Sequence, residues 1–172
     1  MPALDPLLET LSATRTELLH TADSVAPAQW LARPAAKAWS TAEVIAHLTM
    51  VERTVTDSAG RVLLHPPKPL PFFRRLHLPL WIVARRILRR KSPIPLDPAL
   101  LGAKENMLAE LRVARERTLA FLTETRDRDL SAYRWPHPFL GNLNFYEWFR
   151  LLANHEVRHT KQILEIVDTL RK

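Results

Sequence analysis

The sequence contains no cysteine. That excludes disulfides, thiolate metal sites and a cysteine nucleophile, and leaves imidazole nitrogen and carboxylate oxygen as the available metal ligands. Glycine is scarce: Gly60, Gly102 and Gly141 are the only three in 172 residues. They are too few and too scattered for a phosphate-cradling loop and offer few positions for tight hairpin turns. Long apolar runs are missing as well. The longest near the middle, from Leu78 to Ala84, falls well short of the roughly 20 residues that cross a bilayer. The stretch from Met1 to Leu19 carries Asp5 and Glu9 without a basic cluster or a long apolar core, so no secretory signal is expected and the cytoplasm is the expected compartment.

Acidic residues are absent over the long window between Ser58 and Leu96. The same window holds Arg61, Lys68, Arg74, Arg75, Arg85, Arg86, Arg89, Arg90 and Lys91, so the formal charge of +7 belongs to this segment. The remaining 16 basic residues face 18 acidic ones, and the rest of the chain is slightly acidic. The global charge therefore says little about the body of the domain. The window is also rich in proline, with Pro66, Pro67, Pro69, Pro71, Pro79, Pro93 and Pro95. Between Pro79 and Pro93 the pattern predicts a short amphipathic helix, with Leu80, Val83, Ala84, Ile87 and Leu88 opposite Arg85, Arg86, Arg89 and Arg90. A solvated basic face is the plainest expectation for those arginines. Attachment to an anionic membrane or an acidic partner is the alternative. Nucleic-acid binding is disfavoured, because no reader motif or aromatic stacking platform accompanies the charge.

Periodicity elsewhere is helical. Leu7, Leu8, Leu11, Leu18 and Ala22 form a stripe over about residues 5–22, opened by Asp5-Pro6. Ser40 and Glu43 make a capping box for a second helix reaching about Ala59, with Val44, His47, Leu48, Val51 and Val55 on its apolar face. A third helix is predicted from about Asp97-Pro98 to Thr125 through Leu101, Leu108, Leu111, Ala114 and Leu122, and a fourth from Asn144 to Leu170. Asn144 and Glu147 repeat the capping pattern. One all-α domain spanning residues 1–172 follows, a four-helix bundle whose second and third helices are joined by the basic crossover of about residues 61–96.

The fourth helix contains His155-Glu156-Val157-Arg158-His159. Two imidazoles four residues apart share a helical face and can chelate one ion. The string also matches the zinc-protease motif H-E-x-x-H. That chemistry needs a third ligand beyond the motif, where only Glu165 and Asp168 carry carboxylates. At six and nine residues past His159 they are turned about 120° and 180° away, so the protease reading fails on geometry. The fourth-helix stripe runs Trp148, Leu152, His155, His159, Ile163, Ile166 and Leu170, which directs both histidines inward. Each inward polar ring needs a partner, at a cost on the order of 1 to 3 kcal/mol if it has none. His47 is the one other histidine on an apolar helical stripe. His20 lies off its stripe, and His65, His77 and His137 fall in proline-rich connections where surface positions are expected. His47, His155 and His159 thus form a candidate site for zinc, nickel or iron with an open coordination position.

The stretches Trp39-Ser40-Thr41-Ala42-Glu43-Val44-Ile45-Ala46-His47-Leu48 and Phe145-Tyr146-Glu147-Trp148-Phe149 through His155-Glu156-Val157-Arg158-His159 resemble the DinB-like superfamily. Trp135-Pro136-His137-Pro138-Phe139-Leu140-Gly141 looks like the connection that precedes the last helix in that family. The resemblance implies a four-helix bundle with a divalent metal on three histidines, one from the second helix and two from the last, and places them at His47, His155 and His159. It also implies a homodimer through a bundle face. Activities in the family include S-transferases and isomerases that use a low-molecular-weight thiol such as bacillithiol or mycothiol, and metal-dependent hydrolases. The expected reaction is S-transfer to a small-molecule electrophile, with hydrolysis by activated water as the rival. A non-enzymatic bundle that docks through its arginines is the third reading. Glu156, about 80° from the mean direction of the two histidines, is a candidate catalytic residue, or else the partner of a surface arginine. Arg158 and Gln162 flank the same face as candidates to hold a cofactor carboxylate or to support a ligand. Trp39 and Trp148 are expected in the core or as pocket wall.

Overall fold

The computed structural model describes residues 4–71, 73, 77, 79, 80, 83 and 100–172. Its helices are α1 (Leu4–Asp23), the single turn α2 (Pro27–Trp30), α3 (Thr41–Val62), α4 (Lys104–Glu124) and α5 (Phe145–Leu170). Strands β1 (Arg134–His137) and β2 (Gly141–Asn144) lie between α4 and α5. The four long helices form a bundle in which α1 packs chiefly on α5 and α3 chiefly on α4, with α3 also touching α5. No described helix is long and apolar enough to cross a membrane.

Both capping boxes form. The Ser40 hydroxyl accepts from the Glu43 amide while the Glu43 carboxylate accepts from the Ser40 amide, and Asn144 and Glu147 do the same at the start of α5. Each device satisfies two backbone donors that a helix start leaves unpaired, and so fixes where the two helices that carry His47, His155 and His159 begin. The third predicted helix starts later than expected, at Lys104. The expected start at Asp97-Pro98 lies outside the described residues, as do the arginines Arg85, Arg86, Arg89 and Arg90 of the basic segment.

The all-α expectation needs one correction. Residues before α5 form an antiparallel hairpin in which Arg134 pairs with Asn144, Trp135 with Leu143, Pro136 with Asn142 and His137 with Gly141. Gly141 has φ 97°, a conformation that glycine adopts without a Cβ penalty. One glycine placed where it is needed was enough for a turn, despite the overall scarcity. Alternation along β1 turns Trp135 and His137 to one side and leaves Pro136 exposed.

Two apolar clusters fill the bundle. One joins Leu4, Leu7 and Leu11 to the hairpin and the first half of α5, and the other joins Leu18, Val44, Ile45, Leu111 and Ile163 towards the opposite end. Between them in sequence, each long helix contributes one buried charge: Arg15, Glu52, Arg115 and Glu156.

Candidate metal centre

The His47 ring comes from the second turn of α3, and those of His155 and His159 from adjacent turns of α5. His47 and His159 are buried, while His155 keeps partial exposure. The three rings are steeply inclined to one another, with interplanar angles of 75°, 62° and 87° and centroids 5.1, 5.2 and 4.4 Å apart. Their Nε2 edges converge. His155 Nε2 lies 3.3 Å from His47 Nε2 and 3.0 Å from His159 Nε2. Metal–nitrogen bonds of about 2.0 to 2.1 Å at tetrahedral angles put ligand nitrogens about 3.3 Å apart, close to what these rings adopt. Among the described residues this is the one group of three or more histidine or carboxylate side chains with metal-holding geometry.

The electrostatics favour the ligand form of imidazole. Burial lowers His47 to about 4. His155 is held well below its ordinary value by burial first, then by His159, His47, Arg158 and His137. Both rings are therefore neutral at pH 7, the state in which a ring nitrogen offers a lone pair. On His159, Nδ1 sits 2.9 Å from Gln162 Oε1. An amide oxygen only accepts, so Nδ1 carries the proton and Nε2 keeps its lone pair towards the other two rings. His47 Nδ1, in contrast, is buried without a hydrogen-bond partner, and its Nε2 meets only another imidazole. As core residues these rings are poorly satisfied; as ligands they fit a divalent cation. Trp39 walls the cluster, its ring 5.1 Å from that of His47 and stacked at 11° over that of His159.

Of the flanking candidates, Gln162 contacts the His159 ring, and Arg158 is half-buried and near enough to His155 to disfavour its protonation. The catalytic expectation for Glu156 requires correction. Its side chain turns away into the bundle, 2 % exposed, where Oε1 accepts from Arg15 Nε at 2.7 Å and pairs with an Arg115 terminal nitrogen at 3.0 Å. Its Oε2 accepts from the Thr14 hydroxyl at 2.7 Å. Its arginine partners are buried, not surface groups. Glu52 completes the ring by pairing with both Arg15 and Arg115. The two guanidiniums also donate to the Leu111 and Leu11 carbonyls of neighbouring helices.

The sequence reading missed Arg15, Glu52 and Arg115. The signal was available: Arg15 follows Leu11 by four and precedes Leu18 by three, and Glu52 stands likewise between Leu48 and Val55, so both occupy apolar-stripe positions. His20 and His65 are exposed as expected. His77 and His137 are not simple surface residues. His77 Nε2 contacts Glu147 Oε1 at 2.9 Å, and His137 packs on Trp148 with ring centroids 5.2 Å apart.

Comparison with known proteins agrees with the fold. The chain is 30% identical over 143 residues to the uncharacterized protein YuaE of Bacillus subtilis (strain 168), a match covering 81% of this chain and 84% of that protein. It superposes on the crystal structure of TT2238, a four-helix bundle protein, with a TM-score of 0.62 at 25% identity, covering 95% of this chain and 99% of the other. The family description of the DinB superfamily matches residues 10–163, and with the bundle and its buried three-histidine cluster in place, the chain belongs to the DinB superfamily.

Proposed function

We propose that this protein is a divalent-metal-dependent enzyme that activates a low-molecular-weight thiol for transfer to a small electrophile. The observation that carries the proposal is the convergence of three Nε2 atoms, from two neutral rings and one oriented by Gln162, at spacings suited to a tetrahedral ion. Zinc, nickel and ferrous iron all accept three imidazoles and retain an open position. Such an ion lowers the pKa of a thiol or water that reaches it, so that a nucleophile is available near neutral pH.

The chain's own residues set the conditions for that chemistry. Trp39 shields one side of the cluster from water, and partial exposure of His155 leaves a way in. Gln162 fixes the His159 tautomer. Arg158, one residue before His159 on α5, places a positive charge near the cluster, which favours the thiolate over the thiol. The placement of Glu156 favours thiol over water. The carboxylate between the two histidines in sequence is occupied inside the bundle by two arginines and a threonine, which keeps it from reaching a water at the cluster as a general base. A thiol, with an intrinsic pKa about seven units below that of water, needs no such base once a cation is near.

The test is thiol consumption. Untagged, metal-loaded protein incubated with bacillithiol or mycothiol and a panel of small electrophiles should consume thiol faster than the His155→Ala variant. Equal rates, with ester or amide turnover by the wild type instead, would replace the thiol reading with the hydrolytic one.

A further inference from the structure

A fourth histidine stands near the cluster. His137 ends β1, on the same strand face as Trp135, and both rings pack on Trp148 of α5, at 5.2 Å and 5.3 Å between centroids. Trp148 is anchored by a bond from its indole nitrogen to the Trp135 carbonyl at 3.2 Å. Two helical turns separate Trp148 from His155 on one stripe of α5, about 10 Å along the axis. Seven residues are nearly two full turns, so the ring on which His137 rests lies on the helix face that carries His155.

The hydrogen bonding of His137 fixes its tautomer. Its Nδ1 accepts from the backbone amides of Phe139 and Leu140 at 3.1 and 3.2 Å. An accepting Nδ1 has no proton, so the neutral ring carries its hydrogen on Nε2. No protein group takes that hydrogen among the described residues. The turn therefore holds a single N–H donor in one orientation beside the metal centre.

We infer that His137 is a substrate-contacting residue, whose Nε2–H donates to a carboxylate or carbonyl oxygen of a small molecule whose other end reaches the three-histidine cluster. The inference rests on the proposed metal site and adds a ligand class: a compact thiol or electrophile with an oxygen acceptor a few bonds from the reacting atom. Position and tautomer are both set by the hairpin, which gives that element a purpose beyond connecting α4 to α5.

The probes are 3-mercaptopropionate and 2-mercaptoethanol, thiols of similar size with and without a carboxylate, titrated against the visible spectrum of cobalt-loaded, untagged protein. Wild type should bind the acid roughly ten-fold more tightly, the discrimination expected of one hydrogen bond to a charged acceptor. His137→Asn keeps an oxygen to accept from the turn amides but removes the distal donor. It should bring the two thiols within about two-fold of each other, with cobalt content and 2-mercaptoethanol affinity unchanged. His137→Phe should behave likewise if folded. A preference that survives in His137→Asn, or that is lost in Arg158→Gln instead, would overturn the assignment. So would a nitrogen-15 spectrum of the histidine side chains showing His137 protonated at Nδ1. If neither thiol perturbs the cobalt spectrum, the thiol reading fails separately. His137 is then judged by propionate: a shift of its Nε2 resonance supports the donor role, and no shift overturns it.

Discussion

His155 and Glu156 are consecutive on α5, yet they enter two clusters of opposite electrostatic design. Glu156 joins a ring of two carboxylates and two guanidiniums, one from each long helix, in which charges balance, Thr14 donates to a carboxylate oxygen and helix carbonyls accept from the guanidiniums. His155 joins two other imidazoles that bring no compensating charge and leave His47 Nδ1 without a partner. A buried polar group that has all its partners belongs to the fold, because nothing remains for a ligand to supply. A cluster whose lone pairs converge without enough protons between them is a place where a cation lowers the energy. The H-E-x-x-H string thus divides into halves with different employments, the histidines at the site and the glutamate in the architecture.

That contrast can be broken from either side. The largest effect is expected from Glu156→Leu, which leaves Arg15 and Arg115 buried with excess positive charge. Unfolding by urea should show a loss of about 3 to 5 kcal/mol, the usual cost of orphaning a buried ion pair. A loss below 1 kcal/mol would mean that the ring is dispensable and that the comparison is drawn wrongly.

Acid should act on the histidine cluster. For the metal-free protein, His47 titrates at about 4 when folded and near 6.5 when unfolded. Between those values the unfolded chain binds more protons, so stability falls as pH drops from 6.5 to 4 and levels off below. For His47 alone the loss is on the order of 3 kcal/mol, and His155 is shifted in the same direction. Denaturant midpoints across that range, in the presence of a chelator, measure it. Stability independent of pH in that window would contradict the burial of neutral rings.

Gln162→Leu removes the acceptor from His159 Nδ1 and should weaken metal binding by roughly 10- to 100-fold, read by competition with a chromophoric chelator, while urea unfolding of the metal-free protein changes little. The smallest effect is expected from His155→Phe in metal-free protein. A ring at the edge of the core with only imidazole partners, replaced by an apolar ring of similar size, should cost less than about 1 kcal/mol, against the much larger cost at its neighbour Glu156.

The sequence disclosed the parts of this design that repeat or that have local causes. Both capping boxes were visible as Ser40/Glu43 and Asn144/Glu147, and the structure forms both. The three histidines were visible because histidine is conspicuous in a stripe of valine and leucine. Arginine and glutamate in stripe positions were harder to see, since the same residues also face solvent on every helix and only tertiary packing shows four of them meeting. Direction was the second obscurity. At about 80° from the histidines, Glu156 was equally placed to turn towards an ion or away, and the choice was made by Arg15 and Arg115, which lie 141 and 41 positions away in the chain. The hairpin was overlooked because glycine was counted, whereas one glycine at position 141 with positive φ is what the turn requires.

Metal content and affinity of untagged protein, compared with His47→Ala, His155→Ala and His159→Ala, test the central claim most directly, read by plasma mass spectrometry after reconstitution with zinc, nickel or iron. The account predicts near one ion per chain in the wild type, lost in all three variants, with the metal-free variants folded. Absence of bound metal in the wild type, or its retention in any two of the variants, would contradict it and return the three histidines to the core.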